Sequence, residues 1–306
     1  MKGLRFLLSR AAQGLIVMFG VSALVFFALF LTGDPAVLMM APDSTAAEID
    51  AFREAMGFDD PIIVQYGRFL VDALQGDLGS SLRYSRPAMD LLTERLGATA
   101  LLALSALLWS SLLGFLLGAI AAVRKNSPID FAIRVISLLG QAVPVFWLAL
   151  MLIILFSLNL RWLPSSGYGS LGHLVMPSLA LGAYYLSAIT RLVRSSLIET
   201  LGENYVRTAR AKGLTEWRIV VRHALRNAMI PVVTLQGMYL ASLMGGALVT
   251  EIIFAWPGIG RLAVEAIQNR DFPVVQAVVL FAALVFVVAN FLVDVAYTWL
   301  NPRIRL

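Results

Sequence analysis

The basic side chains between Glu203 and Pro231 form a dense group of residues that could do chemistry, and that chemistry is charge pairing. Arg218, Arg222 and Arg226 recur every four residues, so a helix would place them on one face. An amphipathic helix of this kind can dock into a groove on a partner protein. By pattern alone, a solvated basic connector beside a membrane is the favoured alternative.

Two short helices separated by a bend are predicted to position these side chains. Lys212 falls in the last turn of the first helix, and Gly213 can adopt the left-handed conformation that ends it. Thr215 is the predicted N-cap of the second helix, where Glu216 lies next to the positive helix end.

Catalytic motifs are scarce in the sequence. It has no Gly-x-x-x-x-Gly-Lys-Ser/Thr loop, so it lacks that means of holding ATP phosphates. Its two histidines, His173 and His223, lack metal-binding spacing, and zero cysteines exclude disulfides and thiol catalysis. Residues 167–172 match Gly-x-Gly-x-x-Gly, but in a short turn between apolar runs, so we interpret them as a connector. We expect no catalytic residue, cofactor site or metal site in this chain.

Polar residues inside long apolar runs are a second set with functional potential, because an unpaired polar group in a membrane is costly. Hydrogen bonding between helices is the favoured explanation, and Asp294 also lies near the end of its run, close to Arg303 and Arg305. A role along a translocation path is the alternative. The four residues are Gln141, Gln236, Asn290 and Asp294.

The composition is that of an integral membrane protein. Of the 306 residues, 59% are hydrophobic and 14% are charged, and the mean hydropathy is +0.81. Six apolar runs can cross a hydrocarbon core of about 30 Å as helices. They lie near residues 11–31, 98–123, 135–158, 174–189, 228–250 and 274–299, and the fourth is the shortest. These runs contain little charge, which argues against a proton- or sodium-coupled carrier.

The distribution of basic residues predicts the orientation of these spans. Sixteen of the 24 lysines and arginines fall on the side of the amino terminus, and eight fall on the other side. Because basic residues concentrate on the cytoplasmic side, both termini and residues 203–231 are predicted to be cytoplasmic. The basic residues adjoin membrane spans and lack an aromatic platform, so the expected surrounding is a lipid bilayer and no nucleic-acid partner is expected.

The loop at residues 32–97 is predicted to be external and to fold into a small subdomain. It holds eleven acidic and five basic residues. Ser44 to Met56 is a predicted helix, capped by Ser44 or Thr45, with Glu48 in its first turn. In the second span, residues 114–118 form a small-xxx-small pattern that permits close helix approach.

Residues 203–231, together with motifs elsewhere, resemble the permeases of bacterial ABC importers of the dipeptide, oligopeptide and nickel group. The first stretch is Tyr205-Val206-Arg207-Thr208-Ala209-Arg210-Ala211-Lys212-Gly213-Leu214, followed by Ile230-Pro231. The other motifs are Gly33-Asp34-Pro35, Gly57-Phe58-Asp59-Asp60-Pro61, Gly76-Asp77-Leu78-Gly79-Ser80-Ser81 and Phe254-Ala255-Trp256-Pro257-Gly258-Ile259-Gly260-Arg261. They occur in family order across the chain. The large external loop resembles that of the first, B-type, permease subunit.

The resemblance implies an all-α integral membrane protein similar to type I ABC importers. Six transmembrane helices are implied, with an external loop after helix 1 and a cytoplasmic coupling helix between helices 4 and 5. The implied division is residues 1–31 (cytoplasmic amino terminus and first span), 32–97 (external loop subdomain) and 98–306 (five-helix permease core with coupling segment 203–231). The implied location is the bacterial inner membrane.

The resemblance also implies an activity and partners. The activity is ATP-driven, binding-protein-dependent import of peptides or related small solutes. The partners are a second permease subunit, two ABC ATPase subunits or domains, and an external substrate-binding protein. ATP and Mg would be bound by the ATPase subunits, and this chain would not be an enzyme.

Two groups of site residues follow from the resemblance. A short helix around Ala209 to Thr215 is expected to dock on the ATPase. The coupling residues are Arg207, Ala209, Arg210, Lys212, Gly213, Leu214 and Thr215. An external turn is a candidate surface for the binding protein or the substrate. Its residues are Gly76, Asp77, Leu78, Gly79 and Ser80.

Two other classes of function are alternatives to ATP-driven import. A passive channel or ion-coupled carrier would transport without ATP, and a membrane-embedded enzyme would need catalytic clusters. The substrate is not determined by the sequence, since relatives use dipeptides, longer peptides, glutathione-like peptides and nickel chelates.

Overall fold

The computed structural model of the chain describes residues 2–31, 33–40, 43–81 and 83–300, with side chains described except at 2–7, 29–30, 230, 293–294 and 296–300. The regular secondary structure of this part of the chain is helical, apart from one isolated β-bridge between Ser80 and Pro87, so the predicted all-α class is confirmed. The α-helices are α1 Lys2–Leu31, α2 Pro35–Met39, α3 Ala46–Met56, α4 Ile62–Leu74, α5 Ala88–Val123, α6 Pro128–Ala142, α7 Val145–Leu152, α8 Leu171–Leu201, α9 Asn204–Ala211, α10 Glu216–Arg218, α11 Leu225–Met244, α12 Leu248–Ile253, α13 Ile259–Gln268 and α14 Phe272–Leu300. Two π-helical segments occupy Ile153–Asn159 and Ile219–Ala224.

The chain forms two compact units. One comprises residues 1–99 and 257–288, and the other comprises residues 100–256 and 289–305. The boundaries predicted from the sequence at residues 31 and 97 differ from these, and that division remains a prediction.

Three helices of the described residues are long and apolar enough to span a membrane: Leu8–Ala28, Ala88–Val123 and Phe272–Leu292. Two bent helix pairs, Pro128–Asn159 and Glu216–Met244, raise that number to five if each pair is one span. The fourth predicted span lies within α8 and is not among them, because its apolar run is shorter than the roughly 20 residues that a span needs. The count of six therefore remains a prediction.

The third predicted span, residues 135–158, is not one straight helix. Helix α6 ends at Ala142, and the chain turns by 100° before α7 begins at Val145. Pro144 causes the break: it has no N–H to continue the ladder, and it holds Val143 in an extended conformation with ψ 123°.

In the second unit, α5 and α8 pack at glycines, as the small-xxx-small pattern predicted. A Cβ on Gly118 would lie 2.7 Å from the Thr190 carbonyl oxygen, and one on Gly114 would lie 3.0 Å from the Ile189 side chain. One further contact fixes the pair, because the Trp109 indole donates to the Ser178 carbonyl at 3.0 Å. Only residues without a Cβ permit so close an approach.

In the first unit, helix α3 confirms the predicted capping. Thr45 is the N-cap, and it forms a capping box with Glu48, whose carboxylate accepts the Thr45 amide at 2.8 Å. Arg53 on α3 donates to Asp34, the N-cap of α2, at 2.5 Å. This guanidinium holds the pKa of the Asp34 carboxyl below its ordinary value.

The same unit packs two further helix groups. Tyr66 of α4 is buried against α1, where its hydroxyl lies 2.8 Å from the Ser22 hydroxyl. A separate core joins the start of α5 to α13 and α14, and the Ile259 amide donates to the Thr99 hydroxyl at 2.8 Å.

Candidate functional site

The basic segment, residues 203–231, contains a glycine-terminated helix. The Gly213 amide donates to the Arg210 carbonyl at 2.9 Å, and the Leu214 amide donates to the Ala209 carbonyl at 3.3 Å. These two bonds are the Schellman pattern that closes a helix with a left-handed residue. Gly213 has φ +76°, and a Cβ there would meet no atom within 4 Å. The requirement for glycine is therefore conformational and not steric.

This turn rests on a small apolar cluster. Val206, Ala209 and Ile219 are buried, and Leu201 and Leu214 pack against them. The contact between Ala209 and Leu214 is the apolar pair that accompanies the Schellman pattern. Ala209, one of the predicted coupling residues, thus holds α9 against the next helix and is not on the surface.

The predicted docking helix around Ala209 to Thr215 is wrong in its bounds. Ala209 to Ala211 form the last turn of α9, and Lys212 to Thr215 form the connection to α10. The positive φ of Gly213 ends the helix there, so no helix can be centred on it. The remaining predicted residues divide by exposure: Leu214 is half-buried, and Arg207, Arg210, Lys212 and Thr215 are exposed.

An ion pair closes the turn from outside. Arg210 Nε lies 2.6 Å from Glu216 Oε1, and Arg210 Nη2 lies 3.2 Å from Glu216 Oε2. The hydrogen bond to Glu216 raises the pKa of the Arg210 guanidinium above its usual value. Both side chains are exposed, so the pair contributes at most about 1 kcal/mol. Arg210 is nonetheless already paired within this chain.

Trp217 stands out beyond the residues selected from the sequence. It follows Glu216 on α10, and 77% of it is exposed. No role was assigned to it from the sequence. Exposed tryptophans are enriched among residues that dominate protein interfaces, and this was the signal available.

The arginine face that follows is carried on an irregular helix. A π-helix at Ile219–Ala224 replaces the regular turn, so hydrogen bonds there span five residues instead of four. Arg218, Arg222 and Arg226 are all exposed, while Val220 and Ala224 are buried against Ala122 of α5 and Leu197 of α8. The apolar side of this helix is thus occupied within the chain, and its cations face outward.

Polar contacts join α9 to α11 and join α8, which precedes the basic segment, to α6. The Asn227 amide of α11 donates to the Tyr205 hydroxyl of α9 at 2.9 Å. Arg194 near the end of α8 donates to the fully buried Asp130 of α6, at 2.6 Å from Nε and 2.8 Å from Nη2. The Asn126 amide also donates to Asp130 at 2.9 Å. Helix α8, which leads directly into α9, is therefore clamped to α6.

The polar residues predicted inside apolar runs lie on three helices. Gln141 is on α6, Gln236 on α11 and Asn290 on α14, and all are half-buried. Asp294 is also on α14, but its side chain lies outside the described residues. Gln236 is three residues from Tyr239, so the two are neighbours on α11.

Tyr239 belongs to an aromatic cluster that the sequence did not select. Its ring centroid lies 4.7 Å from that of Tyr185 and 6.4 Å from that of Tyr184, both on α8. Tyr184 is 45% exposed. Two adjacent tyrosines in the short apolar run 174–189 were the available signal.

The turn with the predicted external site residues is tightly folded. Asp77 Oδ1 accepts the Gly79 amide at 2.9 Å, and Gly76 and Gly79 have positive φ. A Cβ on Gly79 would lie 3.2 Å from Pro273 of α14. Leu78 is half-buried in the core of the first unit, so the exposed part comprises Gly76, Asp77, Gly79 and Ser80.

The remaining motifs have structural surroundings. A π-helix and an irregular loop precede Gly167, where a dinucleotide fingerprint would need a strand. His173 Nδ1 lies 2.8 Å from the Ser170 hydroxyl. The described residues contain no group of three or more side chains arranged to hold a metal ion.

Comparison with known proteins covers nearly the whole chain. Residues 114–306 match the family described as binding-protein-dependent transport system inner membrane component, and residues 3–103 match the amino-terminal region of the same kind of component. The glutathione transport system permease protein GsiC of Escherichia coli (strain K12) is 41% identical over 303 residues, 99% of each chain. GsiC of Salmonella paratyphi A is 43% identical over 286 residues, 93% of this chain and 94% of the relative.

Solved structures give the same fold. The inward-facing MetNI methionine ABC transporter contains a chain that matches with a TM-score of 0.60 at 19% identity, over 70% of this chain and 97% of that one. A second crystal form matches with a TM-score of 0.55. The chain therefore belongs to the family of binding-protein-dependent transport system inner membrane components, and it is a permease subunit of an ABC importer of the dipeptide and oligopeptide type.

Proposed function

We propose that this chain forms one half of the pathway of an ATP-driven importer for glutathione or a closely related small peptide. A second permease subunit forms the other half, and an external binding protein delivers the substrate. The observation that carries the substrate class is the 41% identity to a glutathione permease across 99% of both chains. Similarity of that extent includes the spans that would line a pathway.

In the proposed topology the chain crosses the inner membrane six times. Helices α1, α5, α8 and α14 each supply one span, and the bent pairs α6–α7 and α10–α11 supply the third and the fifth. The basic segment then follows the fourth span on the cytoplasmic side, and the distribution of lysine and arginine supports this orientation. The turn at Gly76 to Ser80 lies outside, where it is available to the binding protein.

The basic segment is proposed to dock on the ATPase through the exposed side of its turn. Arg207 and Lys212 are exposed cations near Gly213, and Trp217 is an exposed aromatic residue on the following helix. Cations at a rim around an aromatic anchor are a common arrangement at protein interfaces. Arg210 has a different role, because its pairing with Glu216 stabilises the turn.

Displacement of the docked turn would pass to the spans through contacts within the second unit. Helix α8 leads into α9, the Asp130–Arg194 pair fixes α8 to α6, and Tyr205 joins α9 to Asn227 on α11. Movement of α9 would therefore be shared by α6 and α11, the helices that carry Gln141 and Gln236. Rigid helices of this kind convert a local displacement into opening on one side and closure on the other.

ATP hydrolysis is assigned to the partner subunits, which would bind ATP and Mg. This chain has no Gly-x-x-x-x-Gly-Lys-Ser/Thr loop to hold phosphates. Its part in the cycle is mechanical coupling and formation of the pathway.

Uptake of radiolabelled glutathione into proteoliposomes tests this proposal. The full chain is purified with its co-expressed permease and ATPase partners, and the binding protein is added on the side opposite to ATP. We expect uptake that requires ATP and the binding protein together, and that unlabelled glutathione competes away. Uptake without ATP would favour a passive channel or carrier, and conversion of the substrate by the isolated chain would favour an enzyme. Either result overturns the proposal.

A further inference from the structure

A polar stripe runs along one side of helix α8. Tyr184, Arg191, Ser195 and Glu199 are all exposed, and they follow one another at spacings of seven, four and four residues. At these spacings the residues share one face of a helix. The opposite side of α8, which includes Ile189, is buried in an apolar core shared with α11. The stripe therefore lies on the side of α8 that the rest of the chain leaves open.

Arg191 is a cation without a partner on this stripe. Its guanidinium forms no ion pair or hydrogen bond with the residues that the structure describes, whereas Arg194 is paired with the buried Asp130. The Arg191 guanidinium lies close enough to the Tyr239 hydroxyl of α11 to act on it electrostatically. Among the same described residues, the hydroxyls of Tyr184 and Tyr239 also lack a hydrogen-bond partner. One strong cationic donor and two neutral donors are thus available near Tyr239.

The stripe leads to a polar cavity at the start of the basic segment. The cavity has a volume of about 310 Å³ and lies between the end of α8, α9 and the start of α11. Its lining includes Glu199 of the stripe, the hydroxyl residues Ser196 and Thr200, and the joined pair Tyr205 and Asn227. In the proposed topology this end of α8 is cytoplasmic. The stripe and the cavity together form a polar surface that extends from within the fourth span to the cytoplasm.

The composition of the stripe distinguishes between three surroundings. Lipid tails would leave the Tyr184 hydroxyl unpaired in hydrocarbon, which is costly. A tightly packed helix of a second permease subunit would favour small residues on this face, and it would have to supply partners for both Arg191 and Glu199. A water-filled pathway hydrates all of these groups and needs no such partners. The stripe therefore fits a pathway better than it fits lipid or a helix contact.

A peptide supplies the charge that the free guanidinium lacks. Every peptide with an unmodified carboxyl terminus carries a carboxylate, and the planar fork of arginine binds a carboxylate through two parallel hydrogen bonds. We propose that the stripe from Tyr184 to Glu199 lines the cytoplasmic half of the pathway, and that Arg191 binds a carboxylate of the transported peptide. This inference rests on the proposed function, and it assigns the residue of this chain that recognises the charge of the substrate.

Cysteine accessibility tests whether the stripe faces water. The chain has no cysteine, so Ser195→Cys introduces a single thiol one turn from Arg191. The full transporter with its partner subunits is placed in nanodiscs without nucleotide and treated with a charged, water-soluble methanethiosulfonate reagent. We expect rapid modification of Ser195→Cys and little modification of Leu112→Cys, at an exposed leucine of α5. Slow modification of both thiols would show that lipid or a partner helix covers the stripe, and would overturn the proposal.

Protection by a substrate analogue tests the role of Arg191. S-methylglutathione has no thiol, and it is expected to slow modification of Ser195→Cys in the same nanodiscs. The concentration that gives half-protection should rise about ten-fold or more in Arg191→Gln, because charge-assisted hydrogen bonds are lost. It should rise much less in Arg191→Lys, which keeps the charge. The diethyl ester of S-methylglutathione lacks free carboxylates, so it should protect the unchanged Arg191 background as poorly as the free acid protects Arg191→Gln.

A matched control and two contrary results complete the test. Arg124→Gln removes an exposed cation that lies off the stripe, and it should leave half-protection unchanged. Equal half-protection with and without Arg191→Gln would overturn the proposal. Modification that slows with phosphatidylglycerol content, and not with the peptide, would also overturn it, because Arg191 would then bind a lipid phosphate. ATP-dependent glutathione uptake by the same wild-type transporter, found beside either contrary result, would reject this inference and leave the proposed function standing.

Discussion

Single residues determine whether the basic segment keeps its shape, and Gly213 is the clearest example. Its positive φ closes α9, and no neighbouring atom restricts the side chain that could stand there. The sequence predicted this end of the helix, because the signal is local: a glycine follows a basic last turn. Burial of Ala209 was not predictable in the same way, since it depends on Ile219, ten residues further along the chain.

Two replacements of Gly213 distinguish an effect of backbone conformation from an effect of added side-chain volume. Gly213→Val forces a β-branched residue into the left-handed region, which costs about 1–3 kcal/mol. Gly213→Asn should cost much less, because asparagine tolerates this region. We expect ATP-dependent uptake to fall several-fold in the valine variant and to be largely retained in the asparagine variant. Gly97→Val, at a glycine with no positive φ and no atom within 4 Å of its missing Cβ, is the control.

The contrary outcome for Gly213 is also clear. Uptake in Gly213→Val equal to that of the wild type, with the same amount of co-purified ATPase, would show that the turn does not take part in coupling. An equal loss in Gly213→Val and Gly97→Val would show that the loss reflects general damage to the fold.

A second prediction at this scale concerns the buried pair of Asp130 and Arg194. Asp130 has no exposed side chain, so Asp130→Asn leaves Arg194 without its charge partner, and we expect a loss of about 3 kcal/mol in the free energy of unfolding. Glu216→Gln breaks the exposed pair with Arg210 and should cost less than about 1 kcal/mol. Unfolding in mixed detergents measures both.

The double variant tests the physical reason for that loss. Asp130→Asn with Arg194→Gln leaves no lone charge, so it should be more stable than Asp130→Asn alone. Equal losses of unfolding free energy in Asp130→Asn and Glu216→Gln would contradict the interpretation of Asp130 and Arg194 as a buried ion pair that stabilises the contact between α6 and α8.

At the scale of helices, close packing and breaks were predictable to different degrees. The pair Gly114 and Gly118 predicted a close helix contact, and the contact exists, although the sequence could not name α8 as the partner helix. Pro144 was visible in the sequence within an apolar run, yet that run was predicted as one span. The mean hydropathy of a window does not reveal a 100° bend, because apolar residues continue on both sides of Pro144.

Helix α4 shows a second limit of prediction at this scale. The distribution of basic residues predicted that residues 32–97 are external, but one helix of that loop packs on the first span. The overall charge of the loop does not reveal the local pattern of α4, a short apolar helix in which Tyr66 and Phe69 share one face.

The contact between α5 and α8 gives a prediction for helix packing. Gly118→Ala places a methyl group 2.7 Å from the Thr190 carbonyl oxygen, and such overpacking costs about 1–3 kcal/mol. Gly20→Ala, at a position with nothing within 4 Å, should be neutral or slightly stabilising. Apparent melting temperatures of the detergent-solubilised chain measure the difference. A melting temperature for Gly118→Ala equal to or above that of Gly20→Ala would show that α5 and α8 are less closely packed.

At the scale of the whole molecule, family membership and fold agree, and both are consistent with a chain that is coupled to ATP hydrolysis in partner subunits. In the proposed function the basic segment lies on the cytoplasmic side and contacts the ATPase with the exposed side of its turn. Trp217, which is 77% exposed, is the residue of that side best placed to report contact. Trp162, 69% exposed in the loop after the π-helix Ile153–Asn159, is a matched residue that would lie outside in the proposed topology.

The absence of cysteine from the chain makes that comparison direct, because Trp217→Cys and Trp162→Cys each introduce a single thiol. Each variant is labelled with a benzophenone maleimide and irradiated in the transporter purified with its ATPase subunits. We predict a cross-link to an ATPase subunit from position 217 and none from position 162. A cross-link to the ATPase from position 162, or its absence from position 217 in an active transporter, would contradict the account.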